Sequence, residues 1–268
     1  MDLELTGRSV IVTGASRGIG RAIAAAFVAE GANVTICARG SEALEAAAAA
    51  LRAASTGARV EAVVADLTTE AGAAAVLDCA VGAFGGVDVL VNNAGATVRG
   101  GSVVQDFERS FDLNVIAPLR MMELARPYLQ ASGQGAVVNI SSIFGRESGG
   151  PPQYNASKSA QIAMTKSLAL EWVRDGIRVN NVAPGSVAFE GGSWGRRLQE
   201  DPEGMAAFVR ENIPGGRFGT VQEVAHAVVF LAVEVLQFVH AFKVEADRPF
   251  RAVDLETIVI LAPVGKPR

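Results

Sequence analysis

The sequence has few of the residues that build metal centres and disulfide frameworks. Its 268 residues include two cysteines, Cys37 and Cys79, and two histidines, His226 and His240. The cysteines lie far apart in apolar periodic segments, which predicts buried free thiols in a reducing compartment. Nothing in the sequence groups the histidines into a ligand cluster. We therefore expect neither a disulfide-stabilised fold nor a metal-dependent reaction.

The sequence also lacks long apolar runs and a surplus of one charge. No run is long enough to span a bilayer, and the N-terminus, MDLELTGRSV, carries charges where a secretory signal would be apolar. The formal net charge is −4 and the 24 basic residues are scattered, so no surface for nucleic acid or an anionic membrane is expected. These features predict a cytoplasmic protein that acts on a small molecule.

Short β-branched segments alternate with alanine-rich helical segments along most of the chain. The order begins SVIVTG, RAIAAAFVAEG, NVTICAR, SEALEAAAAALRAA and RVEAVVAD, and continues through DVLVNNAG, GAVVNISS and IRVNNVAPG. The strand segments are continuously apolar, as expected for strands covered on both faces. The alanine run at 46–50 fits a helix packed on the sheet. The rhythm predicts an α/β protein, a single-domain Rossmann fold whose doubly wound parallel β-sheet has helices on both faces.

A glycine-rich loop follows the first predicted strand. In TGASRGIG, Gly14, Gly18 and Gly20 lead directly into a helix. Glycines at these positions allow a tight turn and a close approach of the backbone to a diphosphate, which then rests on the positive end of the helix dipole. A plain strand-to-helix turn is the alternative.

The end of the second strand favours a phosphorylated ribose. In CARG, Ala38 takes the position at which a carboxylate would bind a free 2′-hydroxyl, and Arg39 follows it. A guanidinium there suits a 2′-phosphate, and Arg17 in the glycine loop can approach the same group. We therefore predict NADP, with NAD as the alternative. Asp66, at the end of the third strand, is placed either to meet the adenine edge or to cap a turn.

Tyr154 and Lys158 are the candidate acid/base pair. They lie four residues apart in YNASK, within a helical pattern, so both side chains share one face. A nearby ammonium favours the phenolate and is expected to lower the pKa of the tyrosine. Upstream, a buried strand ends in Ser141 and Ser142, whose hydroxyls emerge at the carboxyl edge of the sheet and can hold a substrate carbonyl.

Six segments in this order resemble the short-chain dehydrogenase/reductase family: TGASRGIG, NNAG, FDLNV, NISS, YNASK and NNVAPG. The match to the shorter, TGxxxGIG-bearing branch runs from about residue 5 to residue 230, and 3-oxoacyl-thioester reductases are similar members. The resemblance implies that Tyr154 transfers the proton, that Lys158 tunes it and binds the nicotinamide ribose, that Ser142 steadies the substrate oxygen and that Asn114 holds a water in the proton relay. Alignment on VVNIS favours Ser142, whereas the family's usual spacing to the tyrosine favours Ser141.

The resemblance also implies a set of cofactor-binding residues along the carboxyl edge of the sheet. These are Gly14, Ser16, Arg17, Gly18, Ile19, Gly20, Arg39, Asp66, Leu67, Asn92, Ala94, Gly95, Tyr154, Lys158, Pro184, Gly185 and Val187. The implied activity is NADP-dependent transfer of a hydride between the nicotinamide and a carbonyl or secondary alcohol, with a 3-oxoacyl thioester or a secondary-metabolite ketone as substrate. Alternatives are an NAD-dependent alcohol or sugar dehydrogenase and a non-catalytic nucleotide sensor. The family resemblance also implies a homo-oligomer, a tetramer or a dimer.

The sequence departs from the family in two places. Phe189 stands where the family usually has a threonine that bonds the nicotinamide carboxamide, which leaves backbone groups of Val187 for that contact. The segment from 186 to about 215 is glycine-rich with bulky side chains, and it predicts a substrate lid on a catalytic domain spanning 1–250. A surface excursion with an ordinary hydrophobic anchor is the alternative. Near the end, the family's DGG turn is replaced around Asp247. Residues 251–268 form an atypical tail, and the alternatives for its apolar part, ETIVILAPVG, are an added edge strand, a tetramer contact and a flexible extension.

Overall fold

The computed structural model describes residues 3–213, 215–233 and 259–260. Its strands are β1 Ser9–Thr13, β2 Asn33–Ala38, β3 Val60–Val64, β4 Val89–Asn92, β5 Ala136–Ile140, β6 Arg178–Val182 and β7 Val259–Ile260. Its α-helices are α1 Gly18–Ala29, α2 Ser41–Ala54, α3 Glu70–Phe84, α4 Val103–Phe111, α5 Ala117–Ala131, α6 Pro152–Trp172, α7 Ser193–Glu200, α8 Pro202–Asn212 and α9 Val221–Ala232.

The strands form one sheet in the order β3-β2-β1-β4-β5-β6-β7. The first six are parallel, and β7 pairs antiparallel with β6 at the edge. Reversal of the strand order at β1 and β4 creates the crevice in which such sheets bind ligands. The predicted doubly wound Rossmann fold is confirmed, and β7 shows that part of the predicted tail adds a short edge strand.

Helices cover both faces of this sheet. Val10 and Val12 of β1 belong to a core shared with α1, α2 and α9, whereas Ile11 belongs to a second core shared with α3 and α5. Successive strand side chains point to opposite faces, so β1 is apolar throughout because each face has its own core. The alanine run at 46–50 lies within α2, as predicted, and buries Ala47 and Ala48.

Local signals fix the helix ends near the crevice. The helix α4 begins with a capping box formed by Ser102 and Gln105, and α6 begins with Pro152 in its first turn. Between α4 and α5 the chain makes a π-helical turn over Asp112–Ile116. Such turns are rare and are frequent at functional sites. This one carries Asn114, for which the family resemblance implies a part in the proton relay.

Candidate active site

The predicted site residues gather at the carboxyl edge of the sheet. The glycine loop follows β1, the NNAG segment ends β4, the two serines follow β5 and the PG pair follows β6. Because these four strands are adjacent and parallel, their carboxyl ends open on the same crevice. The fold therefore brings together segments that are up to about 170 residues apart in the sequence.

Tyr154 and Ser142 meet across this crevice. The two side chains form a hydrogen bond that lowers the pKa of the phenol, but burial raises that pKa by more. Ser142 also accepts a hydrogen bond from the backbone N–H of Phe144 at 3.2 Å. Its oxygen therefore already accepts one hydrogen bond, and its hydroxyl remains available as a donor.

Ser141 points away from the tyrosine. Its Oγ accepts a hydrogen bond from Asn181 Nδ2 at 2.7 Å and donates one to the carbonyl of Val182 at 3.4 Å. Adjacent residues of an extended segment project to opposite sides, which explains the different partners of the two serines. Of the two candidates, the structure places Ser142 beside Tyr154.

The ammonium of Lys158 is buried in the protein. Nζ donates to the carbonyl of Ile140 at 2.8 Å and to Gln161 Oε1 at 2.9 Å, and it lies 5.8 Å from the centre of the Tyr154 ring. Burial lowers the pKa of Lys158 from its ordinary value to about 7. Within the described ranges no ion pair to this ammonium is recorded.

The sequence-based expectation for the Tyr154 pKa is wrong. The structure shows a pKa raised above its ordinary value, not lowered, with burial as the dominant cause and Ser142 as a partial offset. The Lys158 ammonium donates to two carbonyl oxygens and makes no recorded hydrogen bond to the phenol oxygen. Desolvation of the phenolate therefore outweighs stabilisation by the cation.

Asn114 holds the loop that follows β4. Its Oδ1 accepts from the N–H of Ala96, and its Nδ2 donates to the carbonyl of the same residue, each at 3.0 Å. A Cβ on Gly95 would lie 2.8 Å from Asn114 Oδ1 and 3.2 Å from Lys158 Nζ. Glycine is therefore required for the approach of this loop to both side chains.

The glycine loop depends on a residue that the sequence analysis did not single out. Asn93 Nδ2 donates to the carbonyls of Thr13 and Gly14, at 2.9 and 3.0 Å. Gly14 has φ +65°, and a Cβ there would lie 2.8 Å from the Cα of Ala94. The second asparagine of NNAG could have been read as a support for this turn, since it follows the strand adjacent to β1.

The N-terminus of α1 fits a diphosphate. No side chain caps it, and no acidic residue lies in its first turn, so its free N–H groups and positive dipole face the crevice. Arg17 and Arg39 are exposed near it. The residues present thus provide what a dinucleotide cofactor needs: a glycine turn, an uncapped helix end and two cations.

Asp66 serves as a turn cap in the structure. Its Oδ1 accepts from the N–H and the hydroxyl of Thr68, at 3.0 and 2.8 Å. These bonds are the main cause of its lowered pKa, and Arg39 contributes a smaller electrostatic part. The contacts of Asp66 are therefore those of the turn-capping alternative. Its electrostatic interaction with Arg39 indicates that both residues lie at the same end of the crevice.

The remaining predicted cofactor residues line the same edge. Asn92 is buried, and its Nδ2 donates to Asn139 Oδ1 at 2.9 Å, so its side chain supports the sheet. Pro184 and Val187 are buried beside β6, with Gly185 partly exposed between them. Ser16, Ile19 and Leu67 lie in the glycine loop, at the start of α1 and after β3 respectively.

Phe189 lies against the glycine loop. Its Cε2 would be 2.5 Å from a Cβ on Gly18, which has φ +56°, so the ring packs directly on the Cα of that glycine. The segment after β6 therefore folds back over the start of α1. The side chain that replaces the family's threonine covers part of the loop instead of offering a hydroxyl.

The predicted lid consists of α7 and α8. Trp194 contacts Phe208 and Phe218 with ring centres 4.9 and 5.3 Å apart, and the guanidinium of Arg197 lies 5.0 Å from the Trp194 ring centre. This cluster, Trp194–Phe208–Phe218, ties the two helices to the segment before α9. It corresponds to the hydrophobic anchor expected from the bulky side chains of this segment.

The scarce cysteines and histidines form no second site in the described part of the chain. Cys37 is buried and burial raises the pKa of its thiol to about 12, whereas Cys79 is only half-buried, so its predicted burial is only partly observed. His226 is exposed, and His240 lies outside the described residues, as does Asp247. Among the described residues, no cluster of metal-ligating side chains is found, and no helix is long and apolar enough to cross a bilayer.

Comparison with known proteins identifies one family. The family described as short chain dehydrogenase matches residues 8–193. Galactitol 2-dehydrogenase of Agrobacterium fabrum is 36% identical over 243 residues, covering 86% of this chain and 92% of that protein. The 3-oxoacyl-acyl-carrier-protein reductase of Escherichia coli is 33% identical over 242 residues, covering 88% of this chain and 94% of its own length. The structure of L-sorbose reductase from Gluconobacter frateurii with NADPH and L-sorbose aligns with a TM-score of 0.78 and 33% identity, over 87% of this chain and 92% of that one.

Proposed function

The chain belongs to the short chain dehydrogenase family of NAD(P)-dependent oxidoreductases, and from that premise we propose that it reduces a ketone or aldehyde with NADPH. The observation that carries this proposal is the hydrogen bond between Tyr154 and Ser142 beside the buried Lys158. A sensor of nucleotides would need the glycine loop but not a buried tyrosine held against a serine at the crevice.

The residues of the chain have separable tasks in this reaction. When bound, the nicotinamide supplies the hydride that reaches the carbonyl carbon. The Ser142 hydroxyl donates a hydrogen bond to the carbonyl oxygen, and Tyr154 donates the proton that converts it to a hydroxyl. The positive charge of Lys158 stabilises the phenolate that remains. Asn114 holds the loop around Gly95 in place, and its proposed part in reprotonating the tyrosine rests on the family resemblance.

Burial raises the pKa of Tyr154 and so holds the phenol in the protonated form, which is the form that reduction needs. A phenol whose pKa lies above its usual value is protonated at neutral pH and is ready to act as an acid. Oxidation of an alcohol needs the phenolate and is therefore expected to accelerate as the pH rises. The contacts around the phenol thus support a reductase at physiological pH.

NADP is the proposed cofactor because two cations and no competing carboxylate lie where the adenosine ribose would bind. Arg39 follows β2, and Arg17 lies in the loop before α1. A relative of similar structure was solved with NADPH bound, which supports the same cofactor here.

Arg39→Asp tests this assignment. The substitution removes the cation and adds a carboxylate, so NADPH is expected to bind at least about tenfold more weakly, in line with loss of a charge-assisted hydrogen bond, and NADH more tightly. Dissociation constants for both cofactors can be measured by quenching of protein fluorescence. Arg52→Asp, on the far end of α2, is the matched control. Unchanged NADPH affinity with no gain for NADH would contradict the assignment.

The proposed substrate is a 3-oxoacyl thioester or a ketone of secondary metabolism. The Escherichia coli relative, which is named for an oxoacyl substrate, supports the first. The relatives named for galactitol and L-sorbose support a polyol or keto-sugar as a second candidate, which matches the alternative of a sugar dehydrogenase. Loops 94–104 and 143–152, together with the lid at 186–215, would form the walls of the substrate site.

An assay with a carbonyl panel tests the function and the substrate class together. NADPH oxidation is followed with an acetoacetyl thioester, L-sorbose, a cyclic diketone and an aromatic aldehyde, in parallel with NADH. We expect turnover with at least one ketone and preference for NADPH. Absence of turnover with every carbonyl, in protein shown to bind NADPH, would reject the proposal in favour of a nucleotide sensor.

We further propose that the protein acts in the cytoplasm as a homo-oligomer, a tetramer or a dimer, with residues 1–250 as its catalytic domain. The support is the family resemblance and the scarcity of cysteine. Exposed apolar side chains on adjoining helices, Ile116 and Leu170, are compatible with a subunit contact. Sedimentation or light scattering of the purified protein measures this state directly.

A further inference from the structure

Gln161 is a polar residue in a position where a core side chain would be apolar. It lies three residues after Lys158 on α6 and has 0% of its surface exposed. Its Oε1 accepts the Lys158 hydrogen bond, but its Nε2 is buried and has no hydrogen-bond partner. Burying an amide with an unsatisfied N–H costs stability, which calls for a compensating role.

We infer that Gln161 is a positioning residue for Lys158: with the Ile140 carbonyl, its side-chain oxygen holds the ammonium beside the Tyr154 ring. An ammonium has three N–H donors, and these two acceptors use two of them. The third remains for an acceptor in the crevice, where Nζ lies next to Gly95. This inference rests on the proposed reductase function for its kinetic consequences only.

The groups around the Lys158 ammonium make the Gln161 side-chain oxygen an important acceptor. The groups in direct contact with the ammonium are the Ile140 carbonyl from β5 and Gln161. The Tyr154 ring centre lies 5.8 Å away, and Asn114 Oδ1 lies beside the same glycine, Gly95. Within the described ranges no carboxylate is recorded near it, and burial is the cause that lowers its pKa. The charged form therefore depends on neutral dipoles, of which Gln161 supplies one of two direct contacts.

Two substitutions separate the acceptor from the packing. Gln161→Met keeps the volume and removes both the acceptor and the unsatisfied N–H, so Lys158 should lose its proton at lower pH. At a pH where Lys158 is neutral, the melting temperature should hold or rise. Gln161→Glu keeps an acceptor and adds a negative charge, so Lys158 should lose its proton at higher pH. Each variant is compared with wild type separately, so the test can still be made with one variant if the other does not fold.

The direct readout is the titration of Lys158 by NMR in protein labelled with ¹³C-lysine. The sequence has four lysines, Lys158, Lys166, Lys243 and Lys266, so the Lys158 signal can be assigned as the one that is absent from Lys158→Met. No cofactor is added. The expected order of midpoints is Gln161→Met, wild type, Gln161→Glu, from low to high pH. Identical midpoints in all three proteins would overturn the inference, whether or not the enzyme turns over any carbonyl.

Kinetics provide the second readout. We expect kcat for reduction to fall about tenfold in Gln161→Met with KM for the carbonyl little changed, since a hydrogen bond to a charged group is lost away from the substrate. The alkaline limb of its pH–rate profile, where kcat falls as Lys158 loses its proton, should move to lower pH. The same limb should move to higher pH in Gln161→Glu. Thr165→Ser, a buried change one turn along α6 that keeps the hydroxyl bonded to Asn139 and to the Gln161 carbonyl, should leave the limb in place. A fall in stability with an unmoved limb would show a merely structural role. Absence of turnover in wild type would instead reject the proposed function and leave the NMR result to decide this inference.

Discussion

Tyr154→Phe is expected to lower kcat for carbonyl reduction by about 10²–10⁴-fold, the range attributed to a positioned acid. The substitution keeps the ring and removes only the hydroxyl that bonds Ser142. The carbonyl oxygen then keeps the serine hydrogen bond but has no proton donor at the crevice. The loss should appear in kcat, with cofactor affinity preserved, and it is measured by NADPH oxidation under saturating substrate.

The chain offers a matched control for this substitution. Its other tyrosine, Tyr128, lies on α5 and packs against the core on the far side of the sheet from the glycine loop. Tyr128→Phe removes the same atom and should leave kcat unchanged. Equal rates for Tyr154→Phe and wild type would remove Tyr154 from the role of acid.

Lys158→Met should nearly abolish reduction and at the same time stabilise the fold. The side chain keeps its length, but the cation that stabilises the phenolate is lost, so kcat should fall by about 10²–10⁴-fold. A buried ammonium without a counter-ion opposes folding, and its removal should raise Tm by a few degrees, since ~1 kcal/mol corresponds to roughly 2–4 °C in a domain of this size. Such opposed effects are typical of residues retained for activity.

The contribution of Lys158 to folding stability should change with pH in a defined direction. Folding lowers the pKa of Lys158 from 10.5 to about 7, so between these values the unfolded state binds more protons than the folded state. The stability contributed by this group therefore increases as the pH rises from about 7 to 10.5 and is lost as the pH falls toward 7. Lys158→Met should flatten that increase in denaturant titrations. Lys166→Met, on an exposed position of α6, should not. A Tm for Lys158→Met below wild type across this window would contradict the prediction.

Much of the fold could be predicted because its signals are local. Continuous apolar strands and short loops specify parallel pairing with covered faces, and the observed sheet follows that pattern from β1 to β6. The choice between Ser141 and Ser142 could not be made from spacing. It depends on which side of the extended chain faces α6, and only the hydrogen bonds of the two serines show that.

The electrostatics of the site could not be predicted from spacing either. The sequence places Lys158 one turn from Tyr154 but does not show that burial dominates both pKa values. The role of Gln161 was missed for a similar reason: its spacing is that of any helical neighbour, and only burial shows that its amide lacks a partner. Packing of Phe189 on Gly18 likewise depends on the path of the segment after β6.

The two tryptophans of the sequence lie in contrasting surroundings. Trp172, at the end of α6, has 0% exposure and lies under the guanidinium of Arg126, whose carbon is 4.9 Å from the ring centre. Trp194, on α7, lies in the aromatic cluster with Phe208 and Phe218. One indole therefore has a fixed environment in the core, and the other lies on the segment that flanks the glycine loop. In Trp172→Phe protein the tryptophan fluorescence would come from Trp194 alone, which makes this segment optically visible without an added label.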